Sequence, residues 1–232
     1  DKMVSCVDWD FVDTVLEPSA GTGNILHGIA RHSYDNRNYL DVDCIEIDGY
    51  LRAILKEEFA KGKDDTFYKG VRIVHDDFLT YDTFKRYDLI IMNPPFSCGD
   101  KHLLKALDMQ KNGGCVVCLL NAETIKNPYT QTRQALVEKL NEYNATIEYM
   151  EGAFSEAERK TNVEVALVKV YIERREFTSD IYERMKAAEH VDESSYTERT
   201  EMEIADYIKA MVSMFRVEVK SGLELIKQYK AM

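Results

Sequence analysis

Short apolar runs alternate with longer amphipathic segments over the first two-thirds of the chain. That alternation is the signature of a doubly wound α/β fold with a mainly parallel sheet. Thr14-Val15-Leu16-Glu17 predicts a first strand, ending in Pro18-Ser19-Ala20-Gly21-Thr22-Gly23. From about Asn24 to His32, Ile25, Leu26 and Ile29 fall on one helix face. Val42 to Ile47 predicts a second strand ending at Asp48. Leu51 to Ala60 predicts a helix with Leu51, Ile54, Leu55 and Phe59 at helical spacing. Val71 to Val74 predicts a third strand, running into His75-Asp76-Asp77-Phe78, and Tyr87 to Met92 a fourth. Asn93-Pro94-Pro95-Phe96 stops the fourth, because adjacent prolines forbid continuation of either strand or helix.

The pattern continues with a helix over His102 to Met109, a break at Gly113-Gly114 and an apolar strand over Cys115 to Leu120. Thr132 to Tyr143 is amphipathic through Leu136, Val137 and Leu140. Thr146 to Met150 and Val163 to Ile172 predict the last two strands. The polar loop Ser155 to Asn162 between them is short enough for an antiparallel pair. The expectation is a seven-stranded sheet with its last strand reversed.

Beyond Phe177 the character changes. Ile181 to Glu189 and Glu203 to Phe215 are helical by pattern, with Ile204, Ile208, Met211 and Phe215 on one stripe, and Leu223, Leu225 and Ile226 suggest a third helical piece. We therefore divide the chain into residues 1–176 and a helical C-terminal extension, 177–232. An appendage this short is expected to pack on the front domain, on another chain or on a missing region.

The chain has 232 residues, 45% of them hydrophobic and 31% charged, which excludes low-complexity and disordered classes. No apolar run approaches the roughly 20 residues that cross a bilayer, and no signal-like stretch opens the chain, so no membrane partner is expected. Five cysteines, an odd number, fit a reducing compartment and a cytoplasmic placement. Cys115 and Cys118 have a C-x-x-C spacing, but residues three apart on a strand face opposite ways, so they read as core thiols and no metal is expected. The net charge of -11 counts weakly against nucleic acid as sole substrate. The basic residues Lys126, Arg133, Arg159, Lys160, Arg174 and Arg175 are scattered and read equally as solvated loops or a phosphate track.

Chemistry concentrates where the strands end, the place where open α/β sheets bind ligands. Gly21 and Gly23 let backbone approach a ligand, yet Leu26 stands where a dinucleotide fingerprint wants its third glycine. Glu46 and Asp48 lie on one side of the second strand; a carboxylate here can accept from both hydroxyls of a ribose while the other caps the next helix, and Glu46 is the preferred ribose ligand. Asp77 beside Phe78 suits an adenine, the carboxylate accepting from the exocyclic amine and the ring packing on the base, with Asp76 an alternative acceptor.

Asn93-Pro94-Pro95-Phe96 is the sharpest signal. The lone pair of an aromatic amine is delocalised into its ring, making it a poor nucleophile. The Asn93 amide carbonyl and the Pro94 backbone carbonyl can each accept one N–H. Holding both favours a pyramidal nitrogen and frees its lone pair for in-line attack on an electrophilic methyl. Proline's fixed φ aims the carbonyl, and Phe96 offers a stacking face.

These ordered segments resemble the motifs of class I S-adenosylmethionine-dependent methyltransferases: residues 15–23, Ile45-Glu46-Ile47-Asp48, Asp77-Phe78 and Asn93-Pro94-Pro95-Phe96. More narrowly they resemble the adenine-N6 DNA methyltransferases of Asn-Pro-Pro-Phe type, over about residues 14–172. The resemblance implies a Rossmann-like sheet of order 3-2-1-4-5-7-6 with the last strand antiparallel, and S-adenosylmethionine as cofactor. It implies transfer to the exocyclic N6 amine of adenine in DNA by base flipping, as in restriction-modification. Glu17, Ala20, Gly21, Gly23, Glu46, Ile47, Asp77 and Phe78 would surround the cofactor. Asn93, Pro94, Pro95 and Phe96 would form the catalytic corner, and Phe96 with Phe154 would hold the base.

Two departures stand out. The helix and proline-containing motif that usually precede the first strand are absent or reduced to the first dozen residues, where Trp9 and Phe11 are candidates to cover part of the pocket, although a residue such as Trp9 is more often a packing residue. No target-recognition domain is visible, which points to a further domain or subunit; the loop Tyr129 to Arg133 and the linker Ser155 to Asn162 are the candidates for touching nucleic acid. RNA adenine or a protein glutamine amide are alternative acceptors, and a non-catalytic cofactor-binding or assembly subunit is the alternative of another class.

Overall fold

The computed structural model describes residues 2–36, 40–59, 70–151 and 163–174, together with 212, 215, 219–227 and 229. The helix expected over 181–189, all but residues 212 and 215 of the one expected over 203–215, Phe154 and the linker 155–162 lie outside the described residues. The chain divides into two compact units, Asp1–Arg175 and Glu176–Met232. In the second, residues 219–227 are helical.

In the first unit a short helix α1 (Lys2–Ser5) and a 3-10 turn (Trp9–Phe11) lead into β1 (Thr14–Glu17). There follow α2 (Asn24–Asn36), β2 (Asp41–Ile45), α3 (Gly49–Glu58), β3 (Val71–His75) and, after a 3-10 turn at Phe78–Thr80, β4 (Leu89–Met92). The rest is α4 (Gly99–Met109), β5 (Gly114–Asn121), α5 (Glu123–Lys126), α6 (Gln131–Glu142), β6 (Thr146–Met150) and β7 (Val165–Ile172). Among the described residues the strands form one seven-stranded sheet of order β3-β2-β1-β4-β5-β7-β6. β1 to β5 pair in parallel, and β7 runs antiparallel to both β5 and β6. The fold is the Rossmann-like sheet that the motif resemblance implies.

Strand alternation splits the core into two layers. Val15, Leu89, Ile91, Cys115 and Val117 face the layer that holds Leu26, Ile29 and Leu55 of α2 and α3. Leu16, Ile90, Met92, Val116 and Cys118 face the layer of Leu103, Leu107, Leu136 and Leu140 from α4 and α6. Cys115 and Cys118 thus point to opposite faces as expected. Each buried aliphatic side chain contributes roughly 1.5–3 kcal/mol, so the two layers hold the sheet rigid behind its loops.

Several element ends differ from the sequence pattern, each for a local reason. β2 stops at Ile45 rather than Ile47, because Glu46 turns its carboxylate toward the first loop and leaves Ile47 70% exposed. α3 begins at Gly49 rather than Leu51, since the Asp48 carboxylate accepts from the Tyr50 and Leu51 amides. α4 begins three residues early, at Gly99, and α2 runs on through polar residues to Asn36. Trp9 packs in the core, its Nε1 donating to the Val4 carbonyl at 2.9 Å and its ring stacked on His32. Phe11 is exposed just before the start of β1, at the end of the strand away from the glycine loop. Neither residue therefore covers the pocket at the strand tips.

Candidate functional site

β1 pairs with β2 on one side and β4 on the other, so the chain's excursions leave in opposite directions from the β1–β4 boundary. A crevice opens at such a boundary beyond the carboxyl ends of the strands. Here it is a cavity of about 620 Å³, lined from four successive strand ends. Pro18, Ser19 and Gly21 follow β1, and Glu46, Ile47 and Leu51 follow β2. Asp76 to Leu79 follow β3, and Asn93 to Phe96 with Cys98 and His102 follow β4. The volume is within the range of drug-sized ligand sites.

Of the residues singled out from sequence, Gly21, Glu46, Ile47, Asp77, Phe78, Asn93, Pro94, Pro95 and Phe96 meet in this one cavity. Glu17, Ala20 and Gly23 do not line it. Ala20 is buried, its amide donating to the Ile45 carbonyl at 3.0 Å, which ties the first loop to β2. Gly23 has φ +83°, and a Cβ there would fall 2.8 Å from the Phe59 ring, so its role is close packing against α3. Glu17 is 1% exposed beneath the loop. Burial pushes its carboxyl well above the ordinary range, the nearby Glu46 adds to the rise, and a hydrogen bond from the Leu26 amide opposes it. Glu17 Oε2 has no hydrogen-bond partner among the described residues.

Glu46 organises the cavity floor. Its Oε2 accepts the Gly21 amide at 2.6 Å and its Oε1 the Asp48 amide at 2.8 Å. Gly21 holds φ +55°, and the space where a Cβ would stand is empty to 4 Å. A ligand can therefore lie against bare backbone beside a carboxylate, the arrangement that suits a sugar with two hydroxyls.

On the third strand end, Asp77 caps the Phe78–Thr80 turn: its Oδ1 accepts the Leu79 amide at 2.9 Å. Phe78 is 2% exposed, its ring 5.6 Å from that of His102. Lys105 of α4 braces this turn from outside, donating to the Leu79 and Tyr81 carbonyls at 2.9 and 2.6 Å. A buried chain, Tyr81 OH to Tyr87 OH at 3.0 Å and Tyr87 OH to Asp43 at 2.8 Å, anchors it from within.

At the double-proline corner the Pro95 carbonyl accepts the Cys98 amide at 3.1 Å, closing a turn. Among the described residues no hydrogen bond engages the Pro94 carbonyl or the Asn93 amide. Asn93 is exposed to the cavity and Pro94 is buried. Two acceptors are thus available at a fixed corner. Among the described residues no group of three or more side chains could hold a metal ion. The sequence reading missed Pro18, Ser19, Leu51, Leu79, Cys98 and His102 as lining. His102 carries a signal only as the start of a helical period, not as a side chain that lines a cavity.

No protein-family model matches the chain, and no curated protein matches it in sequence. Solved structures do. The chain is similar to the 23S rRNA methyltransferase ErmE at a TM-score of 0.55 and 15% identity, covering 80% of this chain and 72% of that one. It is similar to a dimethyladenosine transferase from Plasmodium falciparum at a TM-score of 0.52 and 17% identity, over 74% of this chain and 59% of that one. The methyltransferase subunit of a type I restriction-modification system from Streptococcus thermophilus gives a TM-score of 0.52 and 15% identity, over 71% of this chain and 40% of that one. At such identities the likeness shows the fold, a Rossmann-like methyltransferase fold. The chain spans about three-fifths of the dimethyladenosine transferase and two-fifths of the restriction-modification subunit. Among the described residues no helix is long and apolar enough to cross a membrane.

Proposed function

We propose that this chain is an S-adenosylmethionine-dependent methyltransferase that methylates the exocyclic N6 amine of adenine in nucleic acid, with DNA as the first acceptor. One observation carries the reading: a single cavity brings Gly21, Glu46, Asp77 and Phe78 together with the unengaged acceptors of Asn93 and Pro94. The fold likeness to methyltransferases supports the donor, and the Asn-Pro-Pro-Phe corner supports a planar amine as acceptor.

The residues present fit the donor. Bare backbone at Gly21 and the Glu46 carboxylate match an adenosyl ribose, and Asp77 with Phe78 matches its purine. Bound there, S-adenosylmethionine supplies a methyl group activated by its sulfonium. Asn93 and Pro94 hold both hydrogens of the target amine and turn its lone pair outward. Phe96 gives the base a stacking face worth about 1–3 kcal/mol, against the few kcal/mol that extrusion from a helix costs. Phe154 is proposed to supply the second face. The nitrogen becomes acidic only as it gains the methyl, so the surplus proton leaves past the two carbonyls to water and no strong base is needed. Recognition of a target sequence is assigned to a further domain or subunit.

The test is transfer of a labelled methyl from S-adenosylmethionine into DNA, RNA and protein pools by wild type and Asn93→Ala. Label entering DNA adenine, lost in the variant, supports the reading. Label entering RNA adenine or glutamine amide keeps the chemistry and changes the acceptor. Donor binding with no transfer to any pool, with partner domains present, favours a non-catalytic subunit. Transfer unchanged by Asn93→Ala contradicts the proposed corner.

A further inference from the structure

His102 sits one turn into α4 and lines the cavity, although 93% of it is buried, since its exposure is 7%. Its Nδ1 lies 2.9 Å from the Cys98 carbonyl. A carbonyl only accepts, so Nδ1 carries the hydrogen, and the tautomer that this contact selects leaves Nε2 as an acceptor. Nδ1 is thus turned back to the helix start, and Nε2 is the ring's other polar atom. No hydrogen bond or ion pair among the described residues engages Nε2. Nε2 is not among the fully buried orphan atoms, so it is open to the cavity that His102 lines, and an acceptor on a ring pinned in place can meet a ligand's donor there.

The neighbours say which donor. Asp77, Phe78 and Leu79 form the adjoining wall, with the Phe78 ring 5.6 Å from the imidazole and tilted by 39°. Asp77 Oδ1 is already taken by the Leu79 amide at 2.9 Å, leaving Oδ2 as the carboxylate's open side. An aromatic exocyclic amine brings two N–H groups in one plane, and a single acceptor leaves one of them buried and unmet.

We infer that His102 Nε2 accepts one N–H of the exocyclic amine on the methyl donor's own adenine while Asp77 accepts the other, which makes His102 a specificity residue for the adenosyl group. This rests on the methyl-transfer reading above and adds to it a residue outside the sequence motifs. The pair rejects a donor whose purine carries a carbonyl at that position, because two acceptors would then face a third.

Calorimetry with S-adenosylhomocysteine and with its analogue lacking the exocyclic amine tests this. Wild type is expected to favour the amine-bearing ligand about tenfold. His102→Phe keeps a flat ring without an acceptor and should lose about tenfold for S-adenosylhomocysteine while binding the analogue as wild type does. His102→Gln, which puts a carbonyl oxygen near the Nε2 position, should recover part of the preference. Equal loss for both ligands, or none for either, overturns the assignment. A wild-type chain that binds neither ligand overturns the methyl-transfer reading itself. Nitrogen NMR of the wild-type ring gives an answer that does not depend on any variant folding: the His102 Nε2 resonance should move with S-adenosylhomocysteine and stay with the analogue. A resonance that ignores both contradicts the inference.

Discussion

Glu46 Oε2 lies 2.6 Å from the Gly21 amide nitrogen, so one carboxylate shapes the glycine turn and still faces the cavity. An ionised carboxylate offers about four lone-pair sites, and the Gly21 and Asp48 amides use two. In the proposed function the remainder accept from the two hydroxyls of the donor's ribose. Glu46→Ala is expected to weaken S-adenosylhomocysteine binding by roughly 10–100-fold, the loss of charge-assisted hydrogen bonds plus a loosened turn. Titration calorimetry reads this directly. An unchanged affinity would remove Glu46 from the proposed site.

Glu17 gives a pH signature. Its folded carboxyl is raised well above the ordinary value of 4.5, so the folded chain keeps a proton that the unfolded chain releases. Its contribution is intact below about pH 4.5 and is lost as pH rises toward the folded value. Glu17→Gln copies the protonated form and keeps an acceptor for the Leu26 amide. Its melting temperature should therefore fall less than that of wild type as pH rises from 4 to 8. Parallel curves for the two proteins would mean that Glu17 is ionised where it stands.

Which parts were legible in the sequence follows from what each residue contacts. The sequence places β1 and β6 at their observed ends because apolar strand residues bounded by turn residues are a local signal. The four strand-end segments were legible because glycine, carboxylates and paired prolines have few reasons to interrupt a strand in that order. The start of α4 was not, since Cys98 caps it without a side-chain hydrogen bond and leaves no mark. For the same reason the pattern starts the helix at His102, whose ring is fixed by a carbonyl four residues earlier. The packing duty of Gly23 depends on Phe59, 36 positions away, and no local pattern shows that contact.

Gly23→Ala is expected to lower the melting temperature by several degrees. A left-handed φ of +83° strains an alanine by about 1–2 kcal/mol, and its Cβ would press on the Phe59 ring at 2.8 Å. Thermal melting followed by circular dichroism checks this. A variant as stable as wild type would show that the loop can shift away from α3.

The thiols should report ligand binding. Cys44 and Cys118 are fully buried and held protonated by that burial, and Cys115 is pushed up to about 11, so all three should resist alkylation at pH 8. Cys98 lines the cavity while Cys6 lies elsewhere. Mass spectrometry after brief iodoacetamide treatment should find Cys98 labelled first, with S-adenosylhomocysteine slowing Cys98 and not Cys6. Equal labelling of Cys98 with and without ligand would argue that the ligand binds away from this corner.

A crystal soaked with S-adenosylhomocysteine puts the whole account to its most direct test. The expected density has the purine against Phe78 within reach of Asp77 and His102, the ribose hydroxyls on Glu46, and the sulfur turned toward Asn93 and Pro94. A ligand seated elsewhere, or one in the cavity with its sulfur facing away from Asn93, would contradict methyl transfer at this corner.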